Sequence, residues 1–188
     1  ALGRPGEIAR LERSLQFIER AEIQDGSYFH LLSYQNRIQR FTEPGDLGAE
    51  FEELVSQYER LGQDPRRVHP SLSIYYIQVV HARIHQCLRA SPPQRAALLP
   101  KLERAVRDVE LLARTRPLAG HARFARAAER WFSGSNEEAE RLLAEAERIA
   151  QDFGGIFIGY AAARLRAHML RAHGKESAAR DQARIAAL

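Results

Sequence analysis

The chain of 188 residues contains a single cysteine, Cys87. No internal disulfide framework can form, and a reducing cytoplasm is the expected setting. Lysine is nearly as scarce. Lys101 and Lys175 are the only two, so the net charge of +4 is carried by arginines set among acidic residues. Nucleic-acid binders gather their cations on one face or stripe, and this even mixture speaks against such a partner. Heavy use of Ala, Leu and Arg without lysine points to a GC-rich genome. No apolar run approaches the roughly 18 residues of a membrane span, and residues 1–6 lack the basic and apolar regions of a secretion signal. A soluble chain with no membrane partner is expected. It begins without methionine and stops directly after the apolar run 185–188, as a piece of a larger parent protein would.

Strand patterning is also missing, because no window alternates polar and apolar residues over strand length with β-branched content. What is present is helical periodicity broken by short turn signals: Asp25-Gly26, Pro44-Gly45, Gly62 with Pro65, Ser91-Pro92-Pro93, Arg116-Pro117, Gly134, Gly154-Gly155 and Gly174. These marks predict about nine helices in an all-α chain. Ser91 followed by Pro92 predicts an N-cap and a first helical residue, since proline's missing amide hydrogen costs nothing there. Ser135 with Glu138 has the spacing of a reciprocal capping box, so a helix is expected from Asn136. Within it Ala139, Leu142, Leu143, Ala146, Ile149, Ala150 and Phe153 form one broad apolar stripe.

A recurrence underlies these helices. Ala127, Gly134, Ala139, Leu143 and Ala146 match Ala167, Gly174, Ala179, Ala183 and Ala186, each displaced by the same 40 positions (134 to 174). A small residue lets two helices approach, glycine permits a tight turn, and the second helix then presents small, large and small side chains to its neighbour. Leu98, Leu102 and Ala105 make a weaker earlier copy, and His81-Ala82-Arg83 precedes His121-Ala122-Arg123 by 40 positions. Three hairpins are expected over 66–188.

This spacing resembles the tetratricopeptide repeat, in which a small residue, a turn glycine, alanine, a large apolar residue and alanine recur in order. The period is longer than the family's, Arg123 and Arg130 stand at its aromatic positions, and its closing proline is absent. Longer hairpins of this kind resemble the repeats of large bacterial signalling ATPases, LuxR-type regulators and some serine/threonine kinases. The resemblance implies a right-handed α-solenoid of antiparallel hairpins. Residues 1–65 fit less well; Ile8, Leu11, Leu15 and Ile18, then Phe29, Leu32, Ile38 and Phe41, then Phe51, Leu54, Val55, Tyr58 and Leu61 supply apolar faces expected of degenerate repeats on the same axis.

No catalytic centre or cofactor site is expected. His81 and His85 share a helix face at a spacing that can hold a metal, yet no third ligand follows. Cys87 lies six and two residues from those histidines, offsets that point the side chains apart. Gly154-Gly155 lacks the spacing and lysine of a phosphate loop. The resemblance instead implies a groove lined by the first helix of each hairpin, and carries Arg83, His121, Phe124, Trp131, Arg164, His168 and Arg171 onto or near it. Such residues suit an acidic or aromatic peptide, or an adjacent domain of the same parent. The competing reading has Phe124 and Trp131 in the core and the arginines solvated. A groove that senses a small molecule is the alternative function. The alanine edge of the last helix would suit a homodimer.

Overall fold

The computed structural model describes Arg13 and residues 27–186, and every regular element among them is helical. In order these are α1 (Tyr28–Thr42), α2 (Ala49–Arg60), a 3-10 turn (Pro70–Leu72), α3 (Ser73–Arg89), α4 (Pro92–Leu112), α5 (Arg116–Phe132), α6 (Asn136–Phe153), α7 (Ile156–Ala172) and α8 (Glu176–Ile185). The apolar run from Ile8 to Ile18 lies outside the described residues. The chain divides into two compact units between Ala82 and Arg83, inside α3.

In the N-terminal unit, Ser27 caps α1 by accepting a hydrogen bond from the His30 amide at 3.2 Å. Phe29 does not join the buried face; it is 68% exposed, and Leu31, Tyr34 and Ile38 take that face instead. Steps of three and four residues place these three above one another, whereas Phe29 falls two residues from Leu31 and so points away from the stripe. Phe51, Leu54, Val55 and Tyr58 of α2 are all buried, as their spacing predicts. Tyrosines bind this unit together: Tyr58 stacks on Tyr75 with ring centroids 3.9 Å apart, meets Tyr34 edge-on at 5.3 Å, and donates a hydrogen bond to the Tyr76 hydroxyl at 3.3 Å.

The C-terminal unit is built from smaller side chains. Consecutive helices pack on one another from α4 to α8, and α7 also reaches back to α5. Ala122, Phe124, Ala125, Ala127 and Ala128 of α5 are buried with Leu142, Leu143, Ala146 and Ala150 of α6. Gly120 leaves room for side chains of α7 and α6: a methyl there would sit 2.7 Å from Ile158 Cδ1 and 3.3 Å from Ile149 Cγ2. Phe153, expected on the buried stripe of α6, is exposed at the helix end, and Ala183 is exposed on α8, while Ala179 and Ala186 are buried.

Ser91 starts α4 as its sequence predicts, its amide donating to Gln94 Oε1 at 3.0 Å. Ser135 also begins a helix, but not through a capping box. Its amide is already spent on the Arg130 carbonyl at 2.8 Å, beside a bond from the Gly134 amide to the Trp131 carbonyl at 3.0 Å. This pair of bonds ends α5 with Gly134 at φ 88°, a conformation that only glycine adopts without strain. Glu138 therefore finds no serine amide to accept, and its carboxylate lies 3.3 Å from Arg130 Nε. The same two bonds recur 40 positions on, from Lys175 to Leu170 at 2.9 Å and from Gly174 to Arg171 at 3.0 Å.

Candidate cationic groove of the C-terminal unit

The residues that the sequence assigns to a groove divide into three groups. Arg83 and Phe124 are 4% and 3% exposed. Phe124 is part of the α5 core, and Arg83 donates to Gln86 Oε1 at 2.9 Å on its own helix. His121 and Trp131 are half-buried on α5. Burial alone drives His121 down to about 4, so its imidazole is neutral at pH 7. Trp131 packs against Phe132 with centroids 4.8 Å apart, and the Arg95 guanidinium lies 5.4 Å from the Phe132 ring.

Arg164, His168 and Arg171 form the third group, spaced along α7 by steps of four and three that put them on one face. Arg164 and Arg171 are exposed and His168 is half-buried. His85, near the end of α3, joins them. Burial lowers its pKa first, followed by the charge of Arg164, then Arg89 and His168. Burial likewise leads the lowering of His168, with Arg164 and Arg171 adding to it. Residues remote in sequence thus share one electrostatic neighbourhood.

The other arginines of this unit are largely consumed in ion pairs. Arg126 on α5 grips Glu110 of α4 through two bonds of 2.9 and 2.6 Å and Glu129 through one of 3.0 Å. Arg166, 40 positions later on α7, is held by Glu140 and Glu147 of α6. Each clamps its helix to the one before it. Neither was singled out from the sequence, because arginine is so common here that a structural one looks like a solvated one; their identical offset was the available signal.

The chemistry open to the cluster is anion recognition. Arg164 offers a permanently charged fork, and His85 and His168 add imidazoles that charge only in acid. No group of three His, Cys, Asp or Glu among the described residues is arranged to hold a metal ion. Cys87 is buried, and burial pushes its thiol up to about 11, far from a reactive thiolate at neutral pH. No helix among the described residues is long and apolar enough to cross a membrane.

Comparison with family models, with curated proteins and with solved structures gives no match for this chain. Its functional reading therefore rests on its own residues.

Proposed function

We propose that the chain is a protein-interaction scaffold, a tetratricopeptide-like repeat region of a larger bacterial signalling or transcription-regulatory protein. In this reading α3 to α8 form three antiparallel hairpins of a right-handed solenoid. Their first helices α3, α5 and α7 line a groove that takes an acidic peptide segment. The observation that carries it is the placement of Arg164, His168 and Arg171 on one face of α7 with both arginines exposed, and with Arg164 and His168 close enough to His85 of α3 to add to the lowering of its pKa by burial. Arg166, on another face of α7, is instead engaged by carboxylates of α6. Rigid helices hold such side chains in a fixed array, so little ordering is lost when a peptide docks.

Capture of partners on the immobilised chain, compared with an Arg164→Glu/Arg171→Glu double variant, tests this. Retention by the native chain and loss by the variant, at equal helicity by circular dichroism, is the expected result. Equal retention by both would remove the groove from the reading. A second reading, a sensor of small anionic metabolites, is favoured by the half-burial of His85, His121 and His168, which encloses the site more than a peptide groove requires. A melting-temperature rise with metabolites and none with acidic peptides would select it, since a ligand of the folded state stabilises by mass action.

A further inference from the structure

The two most solvent-exposed large apolar side chains among the described residues of the C-terminal unit begin α7: Ile156 and Phe157 are both 84% exposed, and Tyr160 beside them is 47% exposed. Isolated apolar residues on a surface are ordinary, but three within two helical turns make a patch. Ile156 and Phe157 answer to Arg116 and Pro117, which are exposed on α5 as well, but Tyr160, Arg164 and Ala167 answer to covered positions. Tyr160 stands 40 positions after Gly120, Arg164 after Phe124, and Ala167 after Ala127. On α5 those positions are buried, and Ile158 of α7 presses on the backbone at Gly120. On α7 the corresponding face is open, with Tyr160 and Arg164 exposed and Ala167 only half-buried.

We infer that this face of α7 docks an amphipathic helix of an acidic partner protein, seated on α7 as α7 is seated on α5. Its apolar side chains pack among Ile156, Phe157, Tyr160 and Ala167, and its carboxylates meet Arg164 and Arg171. Charge selects this occupant. Among the described residues Arg164 makes no ion pair, and Arg171 makes only a loose one, with Glu176 Oε2 3.9 Å from its Nε. A second copy joined face to face about a twofold axis would oppose these arginines to their own equivalents, which costs energy unless carboxylates intervene. A helix with carboxylates beside its apolar stripe satisfies both halves of the face. Arg164 and Arg171 are shared with the groove proposed above, whereas Ile156, Phe157 and Tyr160 do not belong to it and His85 belongs to the groove alone, so substitutions at these four residues tell the two sites apart.

The test is a fluorescein-labelled, stapled helix of the same 17 residues in length as α7. It carries Ile, Ala, Leu and Met at the spacing of Ile158, Ala162, Leu165 and Met169, with glutamates flanking that stripe. It is titrated with the full chain by fluorescence anisotropy. Saturable binding is expected, weakened about tenfold or more by Phe157→Ser with Tyr160→Ser and by Arg164→Gln, and weakened again when the probe's glutamates become glutamines. All substituted side chains are exposed, and circular dichroism melting confirms that the fold survives. His85→Ala, which strikes the groove alone, is expected to leave this binding unchanged. Absence of saturation up to about 1 mM chain, or equal binding by the Phe157/Tyr160 variant, overturns the proposal. So does a dimer of the native chain that the same variant dissociates. Binding to phosphatidylserine vesicles that the variant abolishes, with the peptide unbound, overturns it in favour of a lipid surface.

Discussion

The two units of this chain solve the same problem, packing helix on helix, with opposite materials. Residues up to Ala82 use large rings: Tyr34, Tyr58, Tyr75 and Tyr76 interlock by stacking and edge contacts, so each ring depends on several others. From Arg83 onward alanine and glycine bring backbones close, and arginine clamps reach across to the preceding helix. An aromatic core concentrates its energy in a few side chains and tolerates loose spacing between helices. A small-residue core spreads its energy thinly and tolerates almost no added volume. The contrast predicts that truncation harms the first unit most and that enlargement harms the second.

The largest expected effect is therefore Tyr58→Ala, at about 3–5 kcal/mol, from the lost ring and the cavity it leaves. Hydrogen exchange read peptide by peptide should show the loss of protection concentrated in α1, α2 and the first half of α3. Acid provides the next effect, and it strikes the second unit. His121 is held at about 4 against an ordinary 6.5, so the unfolded chain binds a proton more readily than the folded one between those values. Stability contributed by the neutral imidazole is full above 6.5 and is lost as pH falls toward 4, on the order of 3 kcal/mol. His121→Gln should flatten that part of the urea-midpoint profile between pH 6.5 and 4; an unchanged slope would assign the acid sensitivity elsewhere.

Smaller effects separate the clamps from ordinary surface pairs. Arg126→Met strands Glu110 and Glu129, which are only partly exposed, and should cost roughly 2 kcal/mol. Arg123→Met breaks a 3.1 Å pair with Glu145 that is open to water and should cost under about 1 kcal/mol. Two glycine substitutions of similar size are opposite in sign. Gly120→Ala drives a methyl into Ile158 and should destabilise by about 1–2 kcal/mol even after the gain in helix propensity. At Gly159 nothing lies within 4 Å of an added methyl, so Gly159→Ala should stabilise by up to about 1 kcal/mol. Thermal melts of the pair check both signs at once.

Much of the helical architecture was legible because it is written in local signals. Ser91-Pro92, the start at Asn136, and the turns at Gly134 and Gly174 all rest on backbone chemistry that a few neighbouring residues decide. Ser135 was misjudged because two local motifs compete for one amide, and the helix ending there took it first. Phe153 stands at a helix end, where an apolar residue can leave the face that its spacing suggests, whereas Phe29 lies off the stripe of Leu31, Tyr34 and Ile38 altogether. At the candidate site Arg164, His168 and Arg171 come from the resemblance to the repeat family, and helical spacing puts them on one face. His85 follows from neither, since its neighbours come from α7 and no periodicity within α3 shows them. Its sequence neighbours His81 and Cys87 suggest only a metal pair or a thiol partner.

Gly120 has a mechanical consequence. Where two helices meet through long side chains, a small displacement of one is absorbed by rotamer changes between them. Here the side chain of Ile158 meets α5 at a residue that has none, and Ile149 closes in from α6. A single layer of side chains separates the two backbones there, so a shift of α7 has little slack to take up before α5 must follow.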